Sequence, residues 1–247
     1  MIDIAQEGAI ATITLTDCSA LTAHHVAFGF ALRDAVRDAA DSDSVKAIVI
    51  RASGRDFSPA VAPADLAASV RRRQQSLRPD WHAAYAAATG LWQNVCYCKK
   101  VVITAVRGQC GGAGSMLVLC SDLTVATADA SFESPFGTLP EANLVLAALT
   151  MRLNRAKAWL LGDALGASEA CDAGLVNLIA ADAALDAEAQ AMARAAARTP
   201  LDGIAMSKIN VETCLDMQGV GRDFDMAGFN AVAMRRYWDD VAAGVGS

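Results

Sequence analysis

The stretch 101–122, VVITAVRGQCGGAGSMLVLCSD, constrains the fold more than any other part of this 247-residue chain. Val101 to Val106 is a short apolar run bounded by turn signals, so it reads as a buried strand closed by Gly108. Gly111-Gly112-Ala113-Gly114 then opens a short apolar helix running to Cys120. A similar joint lies upstream. Val45 to Ala52 (VKAIVIRA) reads as a buried strand, Ser53-Gly54-Arg55-Asp56 as a turn, and Phe57 to Leu66 (FSPAVAPADL) as a small-residue turn into another helix. The first N–H groups of a helix have no internal acceptor and sit at the positive end of its dipole. Two such ends aimed at one point can hold a developing oxyanion, and small residues let a substrate approach the backbone. Taken alone, a Gly-Gly-Ala-Gly turn also serves tight helix–strand packing.

The remaining chain frames these joints. Ile10 to Thr16 alternates as a strand and pairs with Ile2 to Ala5 across Gln6-Glu7-Gly8. Leu21 to Ala40 carries apolar residues at helical spacing, and Ala64 to Arg78 and Asp80 to Cys98 also read as helices. Leu123 to Ala126 and Ala130 to Glu133 read as short strands. Past Pro140 the chain reads as helix almost to its end, broken near Gly162, Gly166, Gly174 and Pro200. The prediction is an α/β core with a helical tail. The length suits one domain with an extension: a core over 1–184 and a helical covering or trimerisation region over 185–247. That tail is too alanine-rich and apolar to stand alone in water.

Composition narrows the function classes. Hydrophobic residues make up 54%, which argues against disorder. A net charge of −6 gives no reason to expect a nucleic-acid partner. Arg71-Arg72-Arg73 with Arg78 reads as a solvated helix face, or alternatively as a seat for ligand phosphates. Seven cysteines without a secretory signal fit a reduced, cytoplasmic compartment. Cys96-x-Cys98 lacks the second pair and the histidines of a zinc site, so no metal is expected. Cys110 reads as a small buried thiol. Trp81, Tyr85, Trp92 and Tyr97 read as core packing or a subunit contact. No apolar run reaches ~18 residues unbroken, so no membrane span is expected.

The order of these pieces carries a resemblance. A strand, GRDF and a small-residue turn ending Ala64-Asp65-Leu66 precede VVITAVRG, the glycine turn and Ser121-Asp122. ATADASFESP and GDALGASEACDAGLVNLI follow. Over about residues 10 to 182 this resembles the crotonase superfamily, the enoyl-CoA hydratase/isomerase family. The resemblance implies a spiral of ββα units with a C-terminal helical region, forming a homo-trimer or hexamer. It implies an acyl-CoA substrate in fatty-acid metabolism, a thioester oxygen held by two backbone N–H groups, and an enolate-like intermediate. No cofactor is expected beyond the coenzyme A of the substrate itself.

The family's site maps onto this chain residue by residue. Ala113 takes the slot of the second oxyanion donor, beside Gly112, and Met116 takes that of the first hydratase glutamate. Phe132-x-x-Pro135 places Phe136 where the second glutamate belongs. In water addition one carboxylate activates water and the other delivers a proton; neither methionine nor phenylalanine can do so. In the first turn Ala60 holds the usual glycine slot and Asp65 comes three positions late. The first donor is then Val61, counting from Phe57, or Ala64, counting back from Asp65. Ala64 is preferred because Pro63 suits a first helical position and Asp65 a first turn. Val61, Ala62, Asp65 and Leu66 line the substrate on this reading, and Ser19-Ala20-Leu21 match the passage for the thioester arm. Glu141, after Pro140, is either a relocated acid/base or a helix N-terminal carboxylate favoured by the dipole. His24 and His25 resemble a histidine of the superfamily's β-diketone hydrolases. The expected function is therefore non-hydrating enolate chemistry, such as isomerisation. C–C cleavage of the β-diketone kind, or a catalytically inactive ester-binding or structural oligomer, stand as alternatives.

Overall fold

The computed structural model describes residues 2–18, 26–59, 90–136, 139, 142–162 and 164–226. Strands β1 (Ile2–Glu7) and β2 (Ile10–Leu15) form an antiparallel hairpin with Glu7 opposite Ile10. Helix α1 (Val26–Asp41) follows. It buries Phe28, Leu32, Ala35, Val36 and Ala39, an apolar stripe at helical spacing that turns one face to the sheet. The chain returns as β3 (Ala47–Ala52), parallel to β2.

Residues 90–96 are helical and lead into β4 (Val101–Val106), parallel to β3. A two-residue strand β5 (Gln109–Cys110) and helix α2 (Gly112–Cys120) come next. Then follow β6 (Leu123–Thr127), parallel to β4, and β7 (Ser131–Phe132). Helices α3 (Leu144–Thr150) and α4 (Leu153–Leu160) precede β8 (Leu165–Gly166) and α5 (Ala167–Ala173). Strand β9 (Leu178–Ala180), α6 (Leu185–Ala197) and α7 (Leu201–Met217) complete the described order. The main sheet runs β1-β2-β3-β4-β6-β9 and a smaller one β5-β7-β8.

Successive strand residues point to opposite faces, and each face has its own core. Ile48, Ile50, Val102 and Val106 join the core that contains α1, α2 and the smaller sheet. Ala47, Val49, Ile103, Ala105 and Val125 meet Leu185, Ala189 and Ala193 of α6 on the other face. Alanines at four-residue spacing let α6 lie close against the strands. Lys46 Nζ donates to the Ala197 and Thr199 carbonyls at 3.1 Å, tying the end of α6 to the start of β3.

Among the described residues the strand–helix order of the front half matches the sequence expectation apart from β5, which it lacked; the helix expected over 64–78 and most of that over 80–98 lie outside the described residues. The back differs, because β8 and β9 interrupt the helices expected past Pro140. Two- and three-residue strands are too short to show a period of two, so only pairing partners define them: β7 for β8 and β6 for β9.

Candidate active site

Two chain segments meet at the N-terminus of α2. Phe57 N–H donates to the Arg107 carbonyl and Ser58 N–H to the Gln109 carbonyl, both at 3.0 Å. Gly111 N–H donates back to the Ser58 carbonyl at 2.6 Å. The run into the first turn thus lies alongside β5 and presses on the glycine turn. A Cβ at Gly111 would stand 2.6 Å from the Pro59 carbonyl oxygen, and one at Gly114 2.6 Å from Ser58 Cβ. Such approach leaves room for hydrogen alone. Asp56 Oδ1 accepts the Gln109 N–H at 2.8 Å and fixes the same junction from its rim.

Every residue of α2 is buried, consistent with a helix apolar on all sides. The cap at Gly111 provides no side-chain acceptor, and Ser115 N–H is taken by the Gly111 carbonyl at 2.8 Å. Among the described residues nothing accepts the Ala113 N–H. Ala113 is 3% exposed and in regular helix, a conformation in which alanine is at ease. Replacing glycine there leaves the donor intact.

Met116, the expected lining residue one turn on, is fully buried. Phe136 is half-buried and packs edge-on against Trp159, ring centroids 6.1 Å apart. Trp159 Nε1–H is satisfied by the Phe132 carbonyl at 3.2 Å. The structure therefore brings Gly112, Ala113 and Met116 together on α2, with Phe136 just beyond β7. Ser19, Ala20, Leu21, His24, His25, Val61, Ala62, Ala64, Asp65, Leu66, Arg71–Arg73, Arg78 and Glu141 lie outside the described residues. The segment flanking Glu141 is fixed on both sides: Leu139 N–H donates to the Pro135 carbonyl at 2.7 Å and Ala142 N–H to the Leu139 carbonyl at 3.0 Å. Asn143 caps α3 through Leu146 N–H and donates to the Val220 carbonyl, which anchors this segment to the C-terminal region.

Cys110 is fully buried, and burial pushes its thiol well above the ordinary range. Ser115 Oγ donates to its carbonyl at 2.9 Å. A protonated thiol in such surroundings is an inert packing group.

Two polar groups carry no functional role in the sequence expectation. Glu133 follows β7, and its N–H donates to the Cys110 carbonyl at 2.9 Å, beside the glycine turn. Its carboxyl is half-buried, and burial raises its pKa. The FESP spelling, with an acid where a packing residue would serve, was the available clue. Trp92 is 2% exposed, and its indole N–H is a buried donor with no acceptor among the described residues. Such a group costs about 1–3 kcal/mol.

The sequence profile of enoyl-CoA hydratase/isomerase matches residues 5–231. EchA13 of Mycobacterium tuberculosis, whose name assigns it by inference to the enoyl-CoA hydratases, is 27% identical over 263 residues, covering 96% of this chain and 81% of that one. The 1,2-epoxyphenylacetyl-CoA isomerase of Escherichia coli is 26% identical over 250 residues, covering 91% and 89%. The fold of the Bacillus halodurans enoyl-CoA hydratase superposes with a TM-score of 0.80 over 95% of this chain and 94% of that one, at 17% identity. The α/β architecture is thus the crotonase type, and the chain belongs to the enoyl-CoA hydratase/isomerase family.

Proposed function

We propose that this protein binds an acyl-CoA thioester and moves a proton on its acyl chain without adding water. The observation that carries this reading is the unaccepted Ala113 N–H at the head of a fully buried helix, with apolar Met116 one turn behind it. A thioester oxygen seated on that N–H, and on a second from Val61 or Ala64, gains stabilisation as negative charge develops in the enolate. Exclusion of water strengthens both bonds.

Hydration needs one group to activate water and another to protonate carbon. The residues at those two positions, Met116 and Phe136, are apolar, and an apolar pocket tends to stay dry. A single carboxylate can still carry a proton from one carbon to another. Glu141 is the proposed acid/base, and Glu133 is a second candidate because burial already holds its carboxyl toward the protonated form. The likeness to an isomerase of an acyl-CoA supports the acyl-CoA substrate class. A homo-trimer or hexamer in the cytoplasm completes the proposal.

The test is kinetic. Crotonyl-CoA hydration should be at background, whereas interconversion of 3-enoyl- and 2-enoyl-CoA should be measurable. Glu141→Gln should lower that isomerisation by ~10²–10⁴-fold. Rapid hydration by the native chain would refute the reading. Isomerisation that survives Glu141→Gln but not Glu133→Gln would transfer the acid/base role to Glu133.

A further inference from the structure

The start of α3 is held by a part of the chain far from it. Val145 and Leu146 are the second and third residues of this helix, and the first N–H groups of a helix have no acceptor within it. Leu146 N–H donates to Asn143 Oδ1 at 2.8 Å, a local side-chain cap. Val145 N–H donates instead to Asp223 Oδ2 at 3.1 Å, 78 residues away. Asn143 is fully buried, and its Nδ2 donates to the Val220 carbonyl at 3.0 Å. Two side-chain bonds thus join the start of α3 to the helical stretch 220–226. That stretch is itself secured. The chain turns at Gly219, with φ of 95°, and Asp223 N–H donates to the Gly219 carbonyl at 2.9 Å. Val220 and Phe224 are fully buried, and the Phe224 ring stands edge-on to Tyr97 with centroids 6.0 Å apart.

What this clamp holds leads into the site. Helix α3 packs against α2, and Leu146 and Ala147 share one core with Ala113 and Met116. Glu141 is joined directly to Ala142, whose N–H donates to the Leu139 carbonyl at 3.0 Å, and Asn143 is the next residue. Water can serve a helix-start donor on a half-buried residue such as Val145, so what Asp223 adds is a fixed distance between two parts of the chain. We infer that Asn143 and Asp223 are positioning residues: they lock the start of α3 to the stretch 220–226 and, through Ala142, set the stance of the Glu141 carboxylate. The inference rests on the acid/base reading of Glu141 above and adds what holds that group in place. A proton-transfer group displaced by ~1 Å can lose on the order of 10²-fold in rate.

The experiment is steady-state kinetics of 3-enoyl- and 2-enoyl-CoA interconversion by the full chain. Asp223→Ala should lower kcat by about 10–100-fold and leave KM within about 2-fold, because substrate binding is not what it disturbs. Asp223→Asn keeps an acceptor for the Val145 N–H and should recover most of the loss. In the Glu141→Gln background Asp223→Ala should cost nothing further, since the group it positions is gone. Should Asp223→Ala fail to fold, Asn143→Ser takes its place: serine keeps a cap for the Leu146 N–H and loses the donor to Val220. A native kcat in the clamp variant, a loss that falls on KM, no recovery in Asp223→Asn, or equal losses with and without Glu141 overturns the inference alone. Isomerisation that is absent from the native chain, or untouched by Glu141→Gln, overturns the acid/base reading and the inference with it.

Discussion

At the scale of single residues, the glycine turn is defined by what touches it. Gly114→Ala should destabilise the protein by about 1–3 kcal/mol, because its Cβ would meet Ser58 Cβ in a filled core. Urea unfolding of Gly114→Ala, Ser58→Gly and the double variant checks this. The double variant should recover part of the loss, since the clashing atom is removed, and strict additivity would refute the contact. Gly111→Ala meets the Pro59 carbonyl, a backbone atom, so no side-chain trimming should rescue it. Glu133 gives a second check. Burial raises its folded-state pKa above the unfolded value, so the native state holds the proton more tightly. Its contribution to stability is therefore present in acid and is lost as pH rises through the raised value. Glu133→Gln should be more stable than the native chain at neutral pH and equal to it below about pH 4, as read by thermal unfolding across pH. The small-residue turn into a helix at Gly111–Gly114 was legible in the sequence, whereas the places given to Ala113 and Met116 came from the family resemblance. The unaccepted Trp92 and the half-buried Glu133 were not legible, because acceptors and burial come from distant parts of the chain.

At the scale of elements, the joints between helices and sheet hold features that local sequence cannot show. Asp122 follows α2 and accepts both the Val102 N–H and the Lys208 ammonium of α7. The two charges are mostly buried, with side-chain exposures of 24% for Asp122 and 9% for Lys208. Ser121-Asp122 stood out in the sequence as part of a family pattern, but Lys208 is 86 residues away. Lys208→Met should cost about 3 kcal/mol, because it leaves a buried carboxylate unpaired. Lys208→Met/Asp122→Asn should regain part of that, since no lone charge remains. Chemical denaturation of both variants decides it, and equal stabilities would show that the unpaired charge is not the cause. Nearby, Tyr97 Oη donates to Asp216 at 2.7 Å, and burial pushes the Cys96 thiol up to about 12. The same dependence on distant partners hid β8 and β9. By contrast α1 and β2 to β4 were legible because each is long enough for its apolar period to show.

At the scale of the whole molecule, α7 carries an exposed apolar stripe. Its buried side carries Ile204 and Lys208. At 3.6 residues per turn, Met206, Ile209, Thr213 and Met217 fall on the opposite side. Three of these four are apolar, and Met206, Ile209 and Met217 are 66%, 48% and 80% exposed. Leu153 and Leu161 of the α4 region add 57% and 88%. Apolar side chains spaced along one exposed helix face are the pattern of a surface that another chain covers. A trimer or hexamer would bury it, and burial of apolar area favours association by about 25 cal/mol per Å² before the costs of assembly. Multi-angle light scattering should report a trimer or hexamer at micromolar concentration. Met206→Lys/Met217→Lys places two charges on the stripe without touching the Ile204–Lys208 side. It should shift the mass toward monomer while far-UV circular dichroism stays native-like. A native chain that is monomeric at micromolar concentration would rule out the assembly. An oligomer that withstands both lysines would move the interface off α7 and onto the Leu153–Leu161 side.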